Sequence, residues 1–238
     1  MKRLLCLLLL ALLLTGCGSQ MQPVETVPPE LSGSLSVQYL TGGALLQCNG
    51  KILLTDCGEG ITPQLLEAYG VESLSAIVLT GCDELRTAGL AAVLEAFPTT
   101  VYAPGKVDGT DVIVPEEERS LWLDCTRLTI HSLDGNLALQ AVFGEDSFLF
   151  LGDMAQEDQK NLEIKTDVIR VHQSVTLAQE LLRAAQTVYV MVDGRAEETL
   201  AEQYEVFDTA GFGAVTATTE GNGVNVLWMF SGSKEAAS

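Results

Sequence analysis

Ile77-Val78-Leu79-Thr80-Gly81-Cys82-Asp83-Glu84-Leu85-Arg86-Thr87-Ala88-Gly89 is the stretch whose reading decides the fold. With Ala76 it begins as a short apolar run, partly β-branched, which suits a strand buried on both faces. Thr80 to Thr87 is polar, carries no helical stripe and reads as a loop. Ala88 to Phe97 (A-G-L-A-A-V-L-E-A-F) then has helical composition and spacing. Strand, polar loop and helix in that order make the unit in which α/β sheets build sites, at the carboxyl end of a strand.

The flanking sequence supplies more strands. Leu35 to Leu40 alternates, and the apolar runs Ala44 to Cys48 and Lys51 to Asp56 flank Asn49-Gly50. That dipeptide is a strong hairpin signal because both residues tolerate positive φ. Ile61 to Tyr69 reads as a helix with Pro63 in its first turn. Downstream, Asp111 to Ile130 holds two or three short strands around Pro115 and a solvated charged turn, Glu116 to Arg119. Leu137 to Asp153 is a second hairpin, joined at Gly144-Glu145-Asp146. Helices are predicted at Met154 to Leu162, Leu177 to Ala185 and Glu198 to Tyr204, and strands at Asp167 to His172, Thr187 to Val192 and Val224 to Phe230.

The order of these units resembles the metallo-β-lactamase superfamily, and within it the soluble domain that ends ComEC-type competence (DNA-uptake channel) proteins. In that group the loop after a V-L-T strand reads H-x-[HD]-x-D-H; here Gly81, Asp83, Leu85 and Arg86 stand at those positions, and Cys82 replaces a proline. Leu54-Thr55-Asp56-Cys57-Gly58 is similar to the strand ending I-D-x-G. Ser147-Phe148-Leu149-Phe150-Leu151-Gly152-Asp153 is similar to S-F-L-L-T-G-D, whose aspartate bridges two metals in active relatives. Val171-His172-Gln173-Ser174 stands where the group has P-H-H-G-S, and Phe207 to Ala217 resembles its closing hairpin. The resemblance covers about Leu35 to Phe230. It implies an α/β fold of αββα sandwich type, with two mixed β-sheets and helices on both outer faces.

The same resemblance marks Asp56, Asp83, Asp153 and His172 as the remnants of a metal site. His131 and His172 are the only histidines, too few for an imidazole-rich dinuclear centre. Leu85 neither ligates nor accepts a proton, and Arg86 adds a fixed positive charge where a dication would sit. The expectation is therefore no metal cofactor, with a single divalent ion such as zinc on the four remnants as the alternative. Arg86 with Asp83 and Glu84 is predicted to form an internal ion pair that replaces the metal as a cross-link. Strand-end aspartates also persist for backbone hydrogen bonding alone. Cys57 with Cys82 offers a disulfide or a thiolate ligand, while Cys48, Cys57, Cys82 and Cys125 also suit buried apolar thiols. His131 precedes the second hairpin, away from the ligand segments, and reads as structural.

The two ends and the charge bound the setting. Residues 1–16 read as a lipoprotein signal peptide, with Lys2-Arg3, eleven apolar residues from Leu4 to Leu14, and Leu14-Thr15-Gly16-Cys17 as a lipobox. Lipidated Cys17 would anchor the chain outside a bacterial cell membrane. Residues 17–33 read as a flexible tether, 34–231 as one domain and 232–238 as a disordered tail. Net charge is −19, and −21 once Lys2 and Arg3 leave with residues 1–16, which disfavours direct nucleic-acid binding. The function expected is a non-catalytic module binding a protein or small-molecule partner. A metal-dependent hydrolase of phosphodiesters or nucleotides, and an accessory factor in DNA uptake, are the alternatives.

Overall fold

The computed structural model describes residues 30–133, 135–162 and 164–228. The stretches expected to be signal peptide, lipidated Cys17 and disordered tail, with most of the expected tether, lie outside the described residues. Alternation fixes the first sheet. In β1 (Leu35–Leu40), Leu35, Val37 and Tyr39 point to one side, and β2 (Gly43–Cys48) and β3 (Lys51–Thr55) follow as a hairpin. Its turn, Asn49-Gly50, takes φ of 46° and 78°, the left-handed pair that such a two-residue connection needs. β3, β4 (Ala76–Val78) and β5 (Val101–Tyr102) are parallel, so the chain crosses over between them through helices. These are α1 (Pro63–Ala68), capped by the Thr62 hydroxyl, then α2 (Glu84–Thr87) and α3 (Leu90–Ala96).

The second sheet begins with three antiparallel strands, β6 (Arg119–Leu123), β7 (Thr126–Leu133) and β8 (Asn136–Phe143), and β9 (Asp146–Leu151) pairs with β8. Parallel pairing then runs from β9 to β10 (Val168–His172), β11 (Tyr189–Asp193) and β12 (Glu205–Asp208). The crossovers carry α4 (Gln156–Gln159), α5 (Gln179–Ala185) and α6 (Glu198–Ala201). After α7 (Thr209–Phe212) the chain returns to the first sheet with β13 (Val215–Thr219) and β14 (Val224–Trp228). Strand orders are β14-β13-β1-β2-β3-β4-β5 and β12-β11-β10-β9-β8-β7-β6.

Three apolar layers follow from the pleat. Leu46, Leu53, Val78, Phe148, Phe150 and Val168 fill the space between the sheets. Leu54, Ile77 and Leu79, on the opposite face of the first sheet, pack under α1 and α3 through Leu66, Leu90 and Val93. Ile169, Val171 and Val190 do the same under α5 through Leu181 and Leu182. The architecture is an αββα sandwich of two mixed sheets.

Three expectations are corrected. Phe207 to Ala217 is not a hairpin: β12 pairs with β11 and β13 with β1, in different sheets, and α7 joins them. Asp208 caps that turn by accepting from the Gly211 amide, and Gly213 at φ 69° ends it. Thr80 to Thr87 contains a helical turn, because the Asp83 carboxylate caps it through the Leu85 amide. The helix expected at Met154 to Leu162 is the single turn α4, where the buried Gln159 amide is bonded to Met154 and Thr176 carbonyls. The charged turn at Glu116 to Arg119 is exposed throughout, as expected, and its Glu118 carboxylate pairs with His131 at 3.0 Å.

Candidate functional site

The parallel strands β3, β4, β9, β10 and β11 end at one edge of the sandwich, which carries Asp56, Thr80, Asp153, His172 and Asp193. Asp56 adopts φ 55°, a left-handed conformation aspartate tolerates, and this turns its carboxylate inward after β3. There one oxygen accepts from the Thr80 amide at 2.8 Å and hydroxyl at 2.9 Å. The other accepts from Arg170 at 2.7 Å.

Arg170 belongs to β10, on the same face as Val168, where an apolar side chain would be expected. Its second guanidinium nitrogen donates to Asp193 at 2.8 Å, and Asp193 also accepts from the Gly42 amide at 3.0 Å. All three charged side chains of this bridge are buried. Burial alone lowers the pKa of Arg170, but the attraction of Asp56 and Asp193 outweighs it and the net shift is upward. Burial likewise pushes Tyr39, which feels the Arg170 charge, above the ordinary phenol range.

A second bridge lies beside the first. Arg86, buried on α2, donates to Asp83 at 2.8 Å and to Asp153 at 2.7 Å, and its Nε reaches the Thr80 hydroxyl at 3.3 Å. Its backbone is fixed by the Cys57 amide, which bonds the Arg86 carbonyl at 2.8 Å. Thr80 thus touches both bridges. Gly81 explains how Arg86 fits: a Cβ there would lie 2.6 Å from Arg86 Cδ and 2.8 Å from Asp83 Oδ2. A side chain at 81 and this Arg86 rotamer exclude each other. The predicted pair is therefore formed with Asp83 and Asp153, and no ion pair to Glu84 is present among the described residues.

His172 is half-buried at the end of β10, and its Nδ1 lies 2.7 Å from the Ser174 hydroxyl and accepts from the Ser174 amide. It lines an open groove of about 1220 Å³ with Thr41, Gly42, Glu59, Glu84 and Leu85, and with Asp83, Asp153 and Asp193. Between the bridges only about 10 Å³ is left, roughly one water, walled by Asp56, Arg86, Arg170, Leu151 and Leu85 among others. Cys57 is buried under the first sheet with its thiol pushed up to about 12 by burial and then by Asp56. Cys82 is exposed, its thiol raised by partial burial against the pull of the Gly105 backbone. Both are free thiols. His131, on β7, is outside the groove.

Arg170 and Asp193 were not anticipated from the sequence. The signal was present: D-V-I-R-V-H puts an arginine on the inward face of a strand otherwise buried and apolar, and such a charge demands a buried acid.

Comparison with protein-family models finds none that matches, and comparison with curated proteins likewise finds no match. Solved structures do match. The metallo-β-lactamase fold protein YhfI from Bacillus subtilis aligns with TM-score 0.55 at 14% identity, over 74% of this chain and 96% of that one. The chain has the metallo-β-lactamase fold. A diphosphatase from the PhnP family aligns with TM-score 0.52 at 11% identity, over 80% of this chain and 85% of its own. Igni18, a metallo hydrolase from Ignicoccus hospitalis, gives 0.52 at 12%, over 82% and 99%.

The fold implies a metal at this edge, and the carboxylates held in the two arginine bridges do not fit one. Asp56 accepts from Thr80 and Arg170, and Asp83 and Asp153 each bond Arg86. Two guanidinium charges already stand among those carboxylates. A unit charge about 4 Å from another is worth roughly 4 kcal/mol at an effective dielectric of 20, and a dication doubles that repulsion. The space remaining between the bridges is too small for an ion with its own water.

Proposed function

We propose that the chain is a membrane-anchored extracytoplasmic lipoprotein whose metallo-β-lactamase fold serves as a non-catalytic binding module, held at Cys17 and binding through the acidic groove. The observation that carries the reading is the pair of arginine bridges. Asp153 Oδ1, an oxygen at the metal-bridging position implied by the resemblance, is taken up by Arg86 at 2.7 Å. Asp56 and Asp193 share Arg170. A metal hydrolase must lower the pKa of a bound water toward ~7 and keep a coordination position open. Leu85, Gly81 and the two guanidiniums provide neither.

The groove favours a cationic ligand with an apolar part. Glu59, Glu84, Asp83 and Asp153 line it, and Leu85 is 55% exposed at its rim. The chain's charge of −19 favours encounter with cations and opposes phosphate backbones. Titration calorimetry with a short Lys/Leu-rich peptide tests this. Binding that weakens steeply as salt rises, and weakens again in Glu59→Gln/Glu84→Gln, is expected. No binding, together with turnover of a phosphodiester on adding zinc or manganese, would return the chain to the hydrolase reading.

A further inference from the structure

Cys48 ends β2 in the first sheet, and Cys125 sits in the turn between β6 and β7 in the second. Both are buried in the layer between the sheets, and their sulfurs lie 3.5 Å apart, 77 residues separated in sequence. They mark the end of the sandwich opposite the groove, since β3 runs from Lys51 beside Cys48 to Thr55 before Asp56. Around them, Cys125 Sγ donates to the Ser32 carbonyl at 3.2 Å. Asn49 Nδ2 donates to the same carbonyl at 3.1 Å and to Asp124 Oδ1 at 2.9 Å, and lies 3.7 Å from Cys125 Sγ.

We propose that Cys48 and Cys125 form a disulfide that staples the two sheets together. A disulfide needs the sulfurs at about 2.05 Å, so the two side chains close roughly 1.5 Å between them. Cys48, Asp124 and Cys125 also bring two sulfurs and a carboxylate oxygen within 4.8 Å of one another, a set able to hold a metal. The amide nitrogen of Asn49 decides against that use. It stands among Ser32 O, Asp124 Oδ1 and Cys125 Sγ as a hydrogen-bond donor, in the space a cation would take.

The oxidant is a disulfide of small-molecule or protein type. The Cys125 thiolate attacks one oxidant sulfur, the oxidant's S–S bond breaks, and one thiol leaves. Cys48 gives its proton to water, and its sulfur attacks Cys125 in the mixed disulfide, releasing the second thiol. The protein loses two electrons and two protons, and the oxidant becomes two thiols. Burial pushes the Cys48 thiol up to about 11, so little Cys48 thiolate is present for this second step in the folded chain.

The test is peptide mapping of the full chain after incubation with oxidised glutathione, with free thiols alkylated under denaturing conditions. The expected result is one linked peptide joining Cys48 to Cys125, released by dithiothreitol, and a Tm several degrees above that of the reduced chain. Cys48→Ser and Cys125→Val each lose the link and the Tm gain; the wild-type map alone decides if either fails to fold. Separate alkylation of both cysteines after oxidation would overturn the proposal. So would a Cys57–Cys82 link in its place, or stoichiometric zinc that Cys48→Ser releases.

Discussion

Replacing Arg170 with methionine keeps an unbranched apolar stem and removes the charged guanidinium. Arg170 is buried, with Asp56 at 2.7 Å and Asp193 at 2.8 Å, both buried as well. Removing one partner from a buried ion pair costs about 3–5 kcal/mol, because the other charge is left without compensation. Here one substitution strands two carboxylates. Part of the loss is offset, since Asp56 keeps both Thr80 donors and Asp193 keeps the Gly42 amide. A loss near the upper figure, about 5 kcal/mol, is expected, and for a chain of this size that lowers Tm by roughly 10–20 °C. Urea unfolding followed by circular dichroism measures it. A variant within about 2 °C of wild type at neutral pH would refute the reasoning, because the bridge would then be contributing nothing beyond the packing of its carbon chain.

Arg86→Ala is expected to destabilise less, by about 1–2 kcal/mol, because Asp83 and Asp153 are 41% and 43% exposed and water screens them; thermal melting against Arg170→Met ranks the two. Gly81→Ala should lower Tm by an amount comparable to Arg86→Ala, and the pair of substitutions together should lower it by less than the sum, since both act on the same rotamer. For His131, burial lowers the imidazole pKa in spite of the opposing Glu118 charge. Its stabilising contribution is present above the unfolded value of about 6.5 and is lost as pH falls through the lower folded pKa. Stability should therefore decline as pH falls below about 6.5, and His131→Gln should flatten that decline in urea midpoints.

Much of the fold is legible in local pattern. Asn49-Gly50 and the run before Gly144 announce their hairpins through turn chemistry, and Leu35, Val37 and Tyr39 alternate as a half-buried strand must. Phe207 to Ala217 is not legible that way. Two apolar runs around a glycine read as a hairpin, and only the remote partners of β12 and β13 separate them into different sheets. The site divides similarly. Arg86 and Asp83 are three residues apart, so their pairing follows from one helical turn. Asp153 reaches Arg86 across 67 residues, and Asp56 meets Arg170 across 114, contacts that periodicity does not encode. The inward arginine in β10 is a visible anomaly, but its two acids are identified only once β3, β10 and β11 are brought to one edge.

The central claim is that two guanidinium groups hold together the carboxylates that would otherwise surround metal ions. Its most direct measurement is the zinc content of the purified chain after equilibration with excess zinc and removal of unbound metal, read by mass spectrometry of the elements. The account predicts well under one zinc per chain, with Asp56→Asn and Asp153→Asn leaving that value unchanged. One or two zinc ions per chain, lost on either substitution, would contradict it.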